Sequence, residues 1–182
     1  MSVKYTIDGY GQLELNNVAF RRDGRIEAQC ALSAEDFSEE VPAENGMLLA
    51  VDKANNVVKF PVDGSLPIAL NYTTEHMYDE RYLGLKNYKL VPDTFYPRMG
   101  YLAMGDLFTT NCLCYDDTAF ASEEELETAL KACDETAVYG GADASGRICL
   151  KKEAPSYGPV LKVVKFYNMP DGQKAVKLQV IG

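Results

Sequence analysis

The sequence predicts a mainly β protein, an antiparallel β-barrel or sandwich with one peripheral α-helix. Three observations predict it: apolar and polar residues alternate with period two, turn-forming clusters separate the alternating runs, and a single segment has helical spacing. The 182 residues suit one domain over 1–182, long enough to bury a full core. At 47% hydrophobic and 25% charged, the composition is that of a globular chain rather than a disordered one.

The alternation begins near the N-terminus. Leu13 and Leu15 alternate with Glu14 and Asn16, and Ile26, Ala28, Cys30 and Leu32 form a second run after the turn Arg21-Arg22-Asp23-Gly24. Successive strand side chains point to opposite faces, so each run describes a half-buried strand. Segment 5–32 therefore reads as a meander with its first corner at Asp8-Gly9-Tyr10-Gly11. An acidic connector, 33–45, follows, and its Pro42 bars a long helix. Residues 47–52 and 57–62 make a hairpin turned by Ala54-Asn55-Asn56, since Asn tolerates positive φ. Residues 67–72 are a further short strand.

The helix is predicted over about 122–133. Ser122 and Glu125 form a capping box, Glu123 to Glu125 set negative charge at the positive end of the dipole, and Leu126, Ala129, Leu130 and Cys133 make one apolar stripe. The Gly-rich break at 140–146 reads as a flexible turn before a strand at 147–151. A last hairpin pairs 160–167 with 174–181 around Asn168-Met169-Pro170-Asp171-Gly172. In its second strand Val176, Leu178 and Val180 face one way, with Lys177 and Gln179 opposite.

Segment 72–101 follows neither period. It holds six of the twelve tyrosines, with Phe95, Pro92 and Pro97, and reads as a compact irregular excursion. Tyrosine brings large area, few rotamers and a polar tip, which suits surfaces wet before assembly and buried after it. Three readings stand side by side: rings that fill the chain's own core, a sugar-stacking platform that lacks tryptophan, and a protein–protein interface. The interface reading selects Tyr82, Tyr88, Phe95, Tyr96 and Tyr101, with Lys174 and Lys177 as steering charges.

The net charge of −9 disfavours general nucleic-acid binding, which needs positive surface. No apolar run approaches the roughly 20 residues of a membrane span, and the start Met1-Ser2-Val3-Lys4-Tyr5-Thr6-Ile7 lacks a signal-peptide core. Charge is segregated: residues 116–145 hold nine acids and one base, residues 146–182 seven bases and two acids. These runs are either solvated faces or complementary patches that meet on neighbouring copies.

Reactive groups are sparse. The single histidine, His76, excludes a His₃ or His₂-carboxylate zinc site, and a mixed site with Cys112 and Cys114 lacks the usual Cys-x₂-Cys turn. Five cysteines at irregular spacing read as free, buried thiols of a reducing compartment rather than a disulfide framework. Asp116-Asp117 reads as turn and cap rather than half of a carboxylate dyad, and the 140–146 segment lacks the Lys-Ser/Thr of a phosphate loop. The expectation is a protein that is not an enzyme, with no catalytic residue, cofactor or metal.

Several stretches resemble small structural proteins of tailed bacteriophages, among them capsid decoration and cement proteins. They are Gly46-Met47-Leu48-Leu49-Ala50-Val51-Asp52, Arg98-Met99-Gly100-Tyr101, Gly105-Asp106-Leu107-Phe108-Thr109-Thr110-Asn111 and 169–178, Met-Pro-Asp-Gly-Gln-Lys-Ala-Val-Lys-Leu. The resemblance covers about half the chain, is carried by turns and strands, and transfers no individual functional residue. It implies a virion component on the capsid surface, assembled in the bacterial cytoplasm, whose partners are the major capsid protein or other virion proteins and further copies of itself, with no nucleic acid or membrane. A head-fibre or tail subunit, or a carbohydrate-binding or adhesive module, is the alternative.

Overall fold

The structure, a computed structural model of the chain, describes residues 1–73, 90–94 and 96–182. It is mainly β, with two mixed sheets packed together in a sandwich-like arrangement rather than a closed barrel. The eight-stranded sheet is built from β1 (Ser2–Lys4), β2 (Leu13–Asn17), β9 (Leu107–Thr110), β10 (Leu113–Asp116), β11 (Tyr139–Gly141), β12 (Ile148–Lys151), β13 (Leu161–Asn168) and β14 (Lys174–Val180), in the order β1-β10-β12-β11-β13-β14-β9-β2. The six-stranded sheet is β3-β8-β7-β5-β6-β4, from β3 (Ile26–Glu27), β4 (Ala31–Leu32), β5 (Leu48–Asp52), β6 (Val57–Lys59), β7 (Ile68–Asn71) and β8 (Met99–Gly100).

The sheets are not wholly antiparallel. β10 and β12 run parallel, as do β4 and β6. A parallel pair needs a crossover, and the one between β10 and β12 carries α2 (Glu123–Lys131) and β11. Segment 5–32 is not a meander either. β2 pairs with β9, β3 with β8 and β4 with β6, so its strands are dealt to both sheets. Alternation marks a half-buried strand but does not name its neighbour. Within that segment Glu27 is buried and Ala28 exposed, against the alternation, because Glu27 holds an ion pair to Lys53 at 2.9 Å.

The two later hairpins form as the local chemistry dictates. Asn56 takes φ +55°, and the Asp52 carboxylate closes the β5–β6 turn by accepting from the Asn55 backbone (3.1 Å), the Asn55 side chain (2.9 Å) and Lys59 (3.1 Å). β13 and β14 pair with a bulge between Val163 and Lys165, and Val176, Leu178 and Val180 are buried on one face of β14. The Ser122 hydroxyl accepts from Glu125 N at 3.2 Å and caps α2, whose Leu126 and Leu130 are buried in the main core. A second helix, the single turn α1 (Phe20–Asp23), stands where a plain turn was expected. It closes on Gly24 at φ +69° and drives Phe20 against the Tyr72 ring, centroids 4.8 Å apart. Gly140 and Gly141, expected in a flexible turn, lie inside β11. A Cβ on Gly141 would sit 2.5 Å from Pro155, so the site demands the absence of a side chain rather than mobility.

The core has two parts. Leu48 and Leu70 of the six-stranded sheet share one cluster with Phe108, Leu113, Ile148 and Leu178 of the eight-stranded sheet. Leu49, Val51, Val58, Ala69 and Met99 face a second cluster with Phe37 and Leu90. Every residue of β5 is therefore buried, on both faces.

A polar seam crosses the packed interior. Glu44, 6% exposed, accepts from Gly11 N at 2.6 Å and is bonded to Arg147, itself 8% exposed and just before β12. The Glu44 carbonyl accepts from Asn71 Nδ2 at 2.9 Å, and Asn71 Oδ1 accepts from the Thr73 hydroxyl at 2.6 Å. Buried charges of this kind persist only when paired and hydrogen-bonded. Glu44→Ala leaves the Arg147 charge buried and unpaired, and is expected to cost about 3–5 kcal/mol in urea unfolding. The Asp52 carboxyl is held down at about 2 by the Asn55 side chain first, then Lys59 and the Asn55 backbone. Its contribution to stability is therefore present above the unfolded value near ~4 and is lost as pH falls through about 2. An NMR titration of Asp52 is expected to find that midpoint, and Asn55→Ala to raise it.

Candidate functional site

The residues selected from sequence divide into those outside and those inside the described structure. Tyr82, Tyr88 and Phe95 lie outside it. Tyr96 is 61% exposed and borders a groove of about 220 Å³, lined also by Ala31 and Leu32 of the edge strand β4 and by Asp93 and Thr94. Tyr101 is half-buried against the second core cluster, with the Lys53 ammonium 5.9 Å from its ring centroid. Tyr72, from the same aromatic segment, is 5% exposed and sealed against Phe20. Among the described residues of that segment, Tyr72 is thus core and Tyr96 surface.

The two lysines differ. The Lys174 ammonium is bonded to Glu127 and lies 4.0 Å from Glu123, both on α2, while Glu127 also accepts from the Tyr5 hydroxyl at 3.0 Å. Lys152 likewise reaches Glu125 at 2.9 Å. The acidic helix and the basic C-terminal third therefore meet inside one chain. Lys177, on the face of β14 away from the core, stands directly across from Lys165 of β13. Like charges opposed on a sheet repel, and no acid among the described residues pairs with either.

An open polar cleft of about 540 Å³ lies beside Asp116, Lys151 and Lys152. Two of its charged residues are engaged: Asp116 accepts from the Thr118 backbone (3.0 Å) and hydroxyl (2.7 Å) as a turn former, and Lys152 pairs with α2. Asp116 thus takes the turn role read from the sequence.

The thiols show an arrangement that the spacing did not reveal. Cys112, just before β10, has its Sγ 3.7 Å from Arg147, while Cys114, within β10, meets Cys149, its register partner across β10 and β12. Cys114 Sγ, Cys149 Sγ and a carboxylate oxygen of Asp143 all lie within 4.8 Å of one another, and Ser145 Oγ is 4.0 Å from Cys114 Sγ. Burial pushes the Cys112 thiol up to about 12, while a hydrogen bond with the Cys149 thiol, then burial, raises Cys114. His76 lies outside the described residues. A signal for the Cys114–Cys149 pair existed in the sequence: each lies between two large apolar residues, Leu113 and Tyr115 or Ile148 and Leu150, which places it on the opposite face from them. What joined the two thiols was the parallel pairing, which no local pattern encodes.

No family model matches this chain, and comparison with curated proteins and with solved structures finds no match either.

Lys174 is expected to act on its own chain. The Glu127 carboxyl is lowered by Lys174 first and by the Tyr5 hydroxyl as a lesser cause. Lys174→Ala is expected to raise the Glu127 midpoint in an NMR titration, because it removes the largest cause that lowers it and leaves burial, which raises it, opposed by the Tyr5 hydroxyl and Lys131.

Proposed function

We propose that this chain is a non-enzymatic structural protein of a virion, a capsid decoration or cement protein that binds the outside of a phage head. The observation that carries the reading is Tyr96: a large ring left 61% exposed at the lip of a groove beside an edge strand, at the end of the tyrosine-rich segment. Exposed aromatic area beside a concavity is the kind of surface that becomes an interface core. The Lys165–Lys177 pair supports it from another side, since an acidic partner would relieve that repulsion. The net charge of −9 keeps free copies apart in solution, and many modest contacts add by avidity on a lattice.

A sugar-binding module is the second reading, favoured by Asp93 and Thr94 beside the Tyr96 ring, which together offer stacking and hydrogen bonding. Sedimentation of the chain with purified empty heads, set against a glycan array, separates the two. Tyr96→Ser is expected to weaken head binding by roughly tenfold or more while unfolding shifts by less than about 0.5 kcal/mol. Lys177→Glu is expected to slow association most at low salt. Unchanged sedimentation with both variants, or no co-sedimentation of the parent chain, overturns the reading.

A further inference from the structure

The geometry points to a divalent zinc-type cation site formed by Cys114, Cys149 and Asp143, with the fourth position left to water or to the Ser145 hydroxyl. Three separate stretches supply it: β10, β12 and the loop that follows β11. The two cysteines sit directly opposite on adjacent parallel strands, and β11 pairs Gly141 with Cys149, which brings Asp143 over the same pair. A tetrahedral zinc ion with Zn–S bonds of ~2.3 Å and a Zn–O bond of ~2.1 Å sets its sulfurs about 3.8 Å apart and each sulfur about 3.6 Å from the oxygen. All three donors already lie within 4.8 Å of one another, so a contraction of at most about 1.2 Å completes the geometry.

The surroundings fit an ion of that charge and softness. Two sulfurs and one carboxylate are the donor set of a borderline-soft cation rather than of magnesium or calcium. Asp143 is oriented by its neighbours, since one of its oxygens accepts from the Ser2 hydroxyl and from Ser145 N, each at 3.0 Å. Lys4, register partner of Cys114 on β1, brings one positive charge to the neighbouring strand on the side of the two thiols. Both cysteines are 1% exposed while Asp143 is partly exposed, so the site is sheltered on the sulfur side and open on the oxygen side, where an ion enters. Zinc bound there replaces two thiol protons by two Zn–S bonds without any change of redox state, and ties together the ends of the β10–β12 crossover.

The experiment titrates the reduced, chelator-stripped full chain with cobalt(II), then displaces the cobalt with zinc. Expected are a sulfur-to-cobalt charge-transfer band saturating at about one equivalent, its bleaching by zinc, and a higher thermal midpoint with zinc. Cys114→Ser and Cys149→Ser are each expected to abolish the band. Asp143→Asn, altered at the solvent side where folding is least at risk, is expected to weaken zinc by roughly tenfold or more. Cys133→Ala, outside the cluster, is expected to leave the band unchanged. The proposal is overturned if the reduced chain gives no band, if the band survives both Cys114→Ser and Cys149→Ser, or if mass spectrometry finds a Cys114–Cys149 disulfide as the stable form under the same reductant.

Discussion

The contact between Glu44 and Arg147 is the constraint around which the rest of the molecule is arranged. Glu44 lies in the connector that leads into β5, and Arg147 immediately precedes β12, so the pair ties the six-stranded sheet to the eight-stranded one. An ion pair taken out of water gains from attraction only when the remaining lone pairs and protons are also satisfied. Here the second Glu44 oxygen takes Gly11 N, its carbonyl takes Asn71, and the Arg147 guanidinium also approaches the Cys112 sulfur. The apolar clusters on either side supply most of the driving force but are tolerant of sliding. The polar seam is not, because any shift leaves a buried donor or acceptor unpaired.

That seam accounts for features that hydrophobic burial alone does not. Gly11 comes close enough for its N–H to reach Glu44 because it has no side chain. Asn111 accepts from Gln12 N at 2.7 Å, and Thr110 donates to the Gln12 carbonyl at 2.6 Å, so the entry to β2 is fixed against the end of β9 by side chains rather than by ladder bonds alone. The result is a rigid two-sheet body with both faces of β5 covered, on which the exposed Tyr96 groove, the opposed lysines and the Cys114–Cys149–Asp143 cluster occupy separate places.

The charge distribution illustrates how one pattern divides between folding and recognition. The glutamates at the start of α2 stabilise that helix through its dipole and its cap, and the same residues receive Lys152 and Lys174 from the C-terminal third. Opposite charges far apart in sequence thus neutralise one another inside the chain, and among the lysines left over Lys165 and Lys177 face each other across β13 and β14. The pattern was legible as segregation; which charges meet was decided by the packing of α2 against β13 and its neighbours.

The sequence alone determined the elements whose stability is local. The α2 capping box, the Asn-bearing turn after β5 and the alternating face of β14 rest on backbone dihedrals, near-neighbour hydrogen bonds and residue period, all of which act within a few residues. Tertiary structure alone decided partnership: that β2 joins one sheet while β3 and β4 go to opposite edges of the other, that Gly140 and Gly141 are strand residues pressed by Ile148 and Pro155, that Tyr72 is core while Tyr96 is surface, and that Cys149 comes to lie beside Cys114. A strand's period fixes which of its faces is buried but is the same for any neighbour, so the choice of neighbour falls to long-range packing and to the buried charges that only one arrangement can pair.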